Sequence, residues 1–98
     1  MAKYLVLWEV DQTKVPIAPQ ERGAGWSALM NMVKQDIEKG ISKDWGAFLG
    51  ELNGYAIAEG TELEVMNMLQ QYVPFVLFEV HPIASVSQVD EMIKALSS

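Results

Sequence analysis

Two short segments near opposite ends of the chain, Tyr4-Leu5-Val6-Leu7-Trp8 and Phe75-Val76-Leu77-Phe78, are apolar without a break. Their length and their β-branched and aromatic content predict strands. A strand with one face in water alternates apolar and polar residues, so an unbroken run needs cover on both faces. Whatever sheet holds these two strands must therefore be covered on both sides.

The first predicted strand is Lys3 to Val10, followed by a loop from Asp11 to Pro19 that holds Pro16 and Pro19. From Gln20 to Lys39 the period changes. Trp26, Leu29, Met30, Val33 and Ile37 fall on one stripe of an amphipathic helix, with Gly40 placed as its C′ residue and Lys39 in its last turn. Gly23 and Gly25 weaken the first turns, so a late or irregular start is expected. Asp44–Glu51 and Tyr55–Glu59 flank Leu52-Asn53-Gly54, and the Asn-Gly pair is a hairpin-turn signal. Thr61-Glu62-Leu63-Glu64 fits a capping box, opening a second helix with the stripe Val65, Met66, Leu69, Tyr72 and Val73. Pro74 ends that helix, and the last strand runs from Phe75 to Val80 with Pro82 as its stop. Ser87 to Leu96 carries Val89, Met92, Ile93 and Leu96 on one face, behind Ser87 as a cap.

The order is β-α-β-β-α-β-α in a single domain over residues 1–98. Right-handed crossovers around a central hairpin give an α+β, ferredoxin-like βαββαβ sandwich: a four-stranded antiparallel sheet, helices on one face and an extra C-terminal helix. The second sheet face then needs its own cover. A second copy, which buries both open faces at once, is the economical one and predicts a homodimer. The C-terminal helix is the alternative.

Composition narrows the function. With no cysteine, the chain has no disulfide framework, thiolate zinc site or cysteine nucleophile. The apolar run before Glu9 is too short for a signal peptide, and no run approaches a membrane span. Cytoplasmic localisation is the expectation, with no membrane partner. The net charge of −6, with seven scattered basic residues, offers no stripe for phosphate contacts, so no nucleic-acid partner is expected. An aromatic third strand faintly resembles an RNA-binding sheet, but the charge argues against it. One histidine and no cysteine leave only carboxylates for a metal, at spacings that match no ion-binding loop. Gly23-Ala24-Gly25 lacks the context of a phosphate loop. No metal and no cofactor are expected.

Four segments together resemble a known group. They are Lys3-Tyr4-Leu5-Val6-Leu7-Trp8, Trp45-Gly46-Ala47-Phe48, Gly54-Tyr55-Ala56-Ile57-Ala58-Glu59, and Tyr72-Val73-Pro74-Phe75-Val76-Leu77-Phe78-Glu79-Val80-His81-Pro82-Ile83. In this order they are similar to the dimeric α/β-barrel group of ferredoxin-like proteins, especially small muconolactone-isomerase-like relatives of uncharacterised function. The resemblance implies a dimeric α/β barrel with a pocket between the two sheets. It also suggests the faces: Tyr4, Val6, Trp8, Val10, Ala56, Ala58, Val76, Phe78 and Val80 toward the helices. Leu5, Leu7, Glu9, Tyr55, Ile57, Glu59, Leu77, Glu79 and His81 would line the barrel. This parity holds if no bulge intervenes. An isomerase that moves a proton within a lactone needs polar groups there; strand one instead offers Leu5 and Leu7, which favours binding over catalysis.

Within that set, Glu79 and His81 share a face two residues apart and are the acid–base candidates. Glu9 joins them, because two carboxylates in an apolar cavity raise each other's pKa. The plain alternative places Glu79 and Glu9 near strand ends, in solvent or beside Lys3, Lys14 or Lys43, and His81 at the rim, hydrogen-bonded or solvated; Glu59 fits a solvated strand end best. Tyr55 either orients a ligand or packs an interface. Leu5, Leu7 and Leu77 would supply the apolar wall. Trp8, Trp26, Trp45 and most of the six methionines read as core, while Met32 falls off the helical stripe and is a candidate partner contact.

The leading expectation is thus a homodimeric small-molecule-binding protein with an apolar or aromatic ligand. An isomerase-like or cofactor-free oxygenase-like enzyme using Glu79 and His81 is the second. A structural or interaction module with a filled barrel is the third.

Overall fold

A computed structural model describes residues 2–50 and 52–97. The elements are β1 (Lys3–Val10), a 3-10 turn (Gln12–Lys14), α1 (Pro19–Glu38), β2 (Ser42–Ala47), β3 (Asn53–Glu59), α2 (Glu62–Gln70), β4 (Val76–Ile83) and α3 (Val86–Ser97). The four strands form one antiparallel sheet in the order β2-β3-β1-β4. This is the expected α+β architecture, compatible with a ferredoxin-like fold. Among the described residues no helix is long and apolar enough to cross a membrane.

The expected strand parity holds across β1, β3 and β4. Tyr4, Val6, Trp8 and Val10 alternate into the core, and their partners Ala58, Ala56 and Gly54 are buried beside them. One part of the core gathers Tyr4, Val6, Ala56 and Ala58 under Val65 and Met68 of α2. The other gathers Trp8, Val10 and Val76 with Val33 of α1 and Tyr72. Trp8 joins the layers: its ring stacks on Trp45 at 5.2 Å and meets the edge of Trp26 at 6.3 Å. Met32, expected as a partner contact, packs half-buried against this same cluster.

Several boundaries differ from expectation, each for a local reason. Asn53-Gly54 does not form the turn; both residues lie inside β3, and the chain reverses through Leu49-Gly50, with Gly50 at φ 75°. Gly54 is needed elsewhere, because a Cβ there would stand 2.5 Å from the Trp8 ring and 2.1 Å from the Gly46 carbonyl. β2 starts at Ser42 with a register shift between Ser42 and Asp44 and ends at Ala47. The expected end of this strand, Glu51, lies outside the described residues.

α1 begins at Pro19 and runs unbroken through Gly23 and Gly25, with proline pre-set for the first helical turn. Gly40, at φ 81°, follows its C-cap Lys39. The stripe does not extend to Ile37, which is exposed, because Asp36 is the residue turned inward. α2 shows the full capping box, Thr61 Oγ1 accepting from Glu64 N at 3.1 Å and Glu64 Oε1 accepting from Thr61 N at 2.9 Å. Its buried face is Val65 and Met68 with Tyr72 beyond it; Met66 lies off that face and is exposed, and Val73 is exposed because the helix ends at Gln70 and the chain turns away.

β4 continues through Pro82 to Ile83, opposite Lys3. It is an edge strand, where a missing N–H is tolerated. The cap of α3 is Ser85 rather than Ser87: Gln88 N donates to Ser85 Oγ at 3.1 Å, and Ser85 N donates to Gln88 Oε1 at 2.7 Å. α3 does not cover the open sheet face. Every residue from Val86 to Ser97 is exposed, and the molecule extends 61 × 25 × 19 Å.

Candidate functional site

α1 and α2 cover one face of the sheet and leave the other open. Alternation then sets what the open face shows: Leu5, Leu7 and Glu9 of β1, Tyr55, Ile57 and Glu59 of β3, and Leu77, Glu79 and His81 of β4. In this single chain Leu77 is 56% exposed, a large apolar side chain displayed on the open face of the edge strand β4.

A hollow of about 310 Å³ lies at the Val10–Val76 end of this face. Its walls include Leu7, Glu9, Phe48, Asn53, Leu77 and Glu79. Four of the expected site residues, Leu7, Glu9, Leu77 and Glu79, are therefore brought together. Antiparallel register sets Glu9 opposite Leu77 and Glu79 opposite Leu7, so Glu9 and Glu79 are diagonal neighbours on one face, their backbone positions about 7–8 Å apart in such a ladder.

Leu5 and His81 pair with each other farther along the sheet, outside the walls of the hollow. His81 nevertheless reaches Glu79, Nε2 to Oε2 at 3.1 Å, with both side chains more than half exposed. Tyr55 is placed beside the hollow, not in it. Its hydroxyl donates to Asp44 Oδ2 at 2.8 Å, and this bond holds the phenol above its usual pKa. The Tyr55 ring stacks near Phe48 at 6.4 Å and lies over Gly46, where a Cβ would approach it to 2.5 Å.

Two wall residues were not foreseen from the sequence. The sequence pattern places Phe48 only within the second strand and Asn53 in the turn that follows it. Asn53 Oδ1 is buried and finds no hydrogen-bond partner among the described residues, and an unpaired buried acceptor is costly. The flanking Asn-Gly pair concealed this, since the same dipeptide is the usual hairpin signal.

A second buried polar group lies on the helix side. Asp36 of α1 is 2% exposed and accepts from the Tyr72 hydroxyl and, at 3.4 Å, from Gln71 Nε2. Burial and this bond push the Tyr72 phenol far above its ordinary value. The space beside it is about 50 Å³ and lined mainly by core side chains, too small for a ligand. Among the described residues no three His, Asp or Glu side chains stand close enough together to hold a metal ion. No protein-family model and no curated protein matches this chain.

Proposed function

We propose that this chain is a homodimeric small-molecule-binding protein. Its ligand would occupy the hollow on the open sheet face, closed by a second copy into a dimeric α/β barrel of the muconolactone-isomerase-like kind. The observation that carries the reading is the hollow itself: an apolar wall of Leu7, Phe48 and Leu77 with three polar groups, Glu9, Asn53 and Glu79. Mostly apolar walls with a few polar anchors are the usual make-up of a ligand site. An apolar or aromatic molecule carrying a hydrogen-bond donor suits these groups, because both carboxylates accept. The cysteine-free composition suits a reducing, cytoplasmic setting.

Native mass spectrometry of freshly purified full-length chain tests this directly. A dimer carrying a retained small molecule is the expected result, and Glu79→Gln should weaken its retention. A monomer, or a dimer from which no added apolar ligand changes mass or fluorescence, would overturn it.

The Glu79–His81 pair supports a second reading, an acid–base enzyme of isomerase or cofactor-free oxygenase type. A histidine beside a carboxylate can pass a proton near neutral pH. Solvent-deuterium exchange into a bound lactone or enol, abolished by His81→Asn, would favour it over simple binding.

A further inference from the structure

α3 is a formed helix that buries none of its residues. Ser85 and Gln88 cap its start reciprocally, yet a 12-residue helix is marginal in water without a surface to pack on. Its apolar residues all fall within an arc of about 120° at helical spacing: Val86, Val89, Met92, Ile93 and Leu96, each at least 40% exposed. The chain is correspondingly extended, with a radius of gyration of 16.3 Å against about 13 Å for a compact domain of this size.

The matching surface lies at the opposite end of the molecule. β4 runs from Val76 to Ile83, so α3 leaves from the Ile83 end. Of the apolar side chains exposed on the body, Leu63 and Met66 lie on α2, whereas Ile17, Phe48, Leu49, Val73 and Phe75 border the Val10–Val76 end. Among them opens a groove of about 330 Å³ walled by Val15, Trp26, Leu29, Met32, Leu52 and Phe75, with Lys14 also on its lining. The eight residues of β4 separate the two ends by about 26 Å. Folded back on its own chain, a helix about 18 Å long could bring only its last turn there.

We infer that α3 is an exchanged arm: in a dimer, each copy seats the Val89–Leu96 stripe in the groove at the Val10–Val76 end of the other. A twofold axis between the two open faces and across the strands sets the Ile83 end of one copy over the Val76 end of its partner, for both arms at once. The inference rests on the homodimer proposed above and adds to it what closes each end of the shared barrel.

The chain has no cysteine of its own, so introduced thiols report cleanly. Phe75 and Met92 are each 54% exposed and tolerate replacement. Chains carrying Phe75→Cys are mixed with chains carrying Met92→Cys, re-equilibrated and mildly oxidised, and native mass spectrometry follows the products. The expected result is a disulfide-linked pair of unlike chains, formed in excess of either like pair. Ile93→Asp should weaken dimerisation at least tenfold while leaving the far-ultraviolet circular dichroism of the sheet in place. A dimer in which the unlike link is not favoured overturns the arm and leaves the sheet-face dimer standing. A chain carrying both cysteines that closes a bond within one monomer also overturns the arm, by showing that α3 folds onto its own body. A monomer at all concentrations removes both proposals.

Discussion

The Tyr72 hydroxyl, on the segment that follows α2, donates a hydrogen bond to the carboxylate of Asp36 on α1, a side chain 2% exposed. It ties the two helices together beneath the sheet at a point where neither partner meets bulk water. Tyr72→Phe would leave a buried carboxylate with only the longer contact from Gln71 and should cost about 2 kcal/mol, read from urea denaturation at pH 7. The folded state holds the Tyr72 phenol above its unfolded value. The stabilisation is therefore complete below about pH 10 and is lost as pH rises from there toward the folded value. In Tyr72→Phe that alkaline loss should be smaller than in the parent chain.

Gly54 faces the ring of Trp8 and the carbonyl of Gly46 at distances no Cβ can share. Gly54→Ala should therefore force the β2–β3 pair or the Trp8–Trp45 stack to move, at a cost of about 1–3 kcal/mol. A lower thermal midpoint together with a changed near-ultraviolet tryptophan signal is the expected readout. Retention of both would show that the sheet yields there without penalty.

The capping box of α2 gives a smaller and separable effect. Thr61→Ala removes the acceptor for Glu64 N and should cost about 1 kcal/mol. The backbone and hydroxyl of Thr61 hold the Glu64 carboxyl below its ordinary pKa. Its contribution is present above the unfolded carboxylate range, near pH 4.3, and is lost as pH falls through the folded value. Glu64→Gln should flatten that acid limb of the stability curve.

Leu77 is exposed in the single chain and lies on the face proposed to meet a second copy. Leu77→Asp should leave the fold of one chain intact and weaken dimerisation by about 3 kcal/mol or more, because a carboxylate would be buried without a partner. Sedimentation equilibrium would show monomers at concentrations where the parent chain is paired. An unchanged assembly would mean that this face is not the interface.

Sequence reading recovered the parts of the site that depend on alternation alone. Leu7, Glu9, Leu77 and Glu79 were legible as one surface because a strand's two faces follow from counting by twos, and β1 and β4 contain no bulge. Phe48 and Asn53 were not, since both lie beside a turn whose position depends on what Gly54 must pack against. Asp36 was invisible for a related reason: helical spacing pointed to Ile37, and only the presence of Tyr72 and Gln71 opposite makes a buried carboxylate tolerable.

By itself, the sequence determined the order of elements, the capping box at Thr61, the parity of β1, β3 and β4, and the need for cover on a second sheet face. These are local or periodic properties, and each is decided by residues within a turn or a strand of one another. Tertiary structure decided where the β2–β3 reversal falls, that β4 continues through Pro82 as an edge strand, and that Asp36 points inward. It also decided that α3 stands clear of the body with its apolar stripe exposed. Those outcomes depend on which distant surfaces meet, and burial energy depends on the partner surface as much as on the residue. Two segments that are apolar on both faces set the demand for cover, and only the fold shows that one chain leaves it unmet.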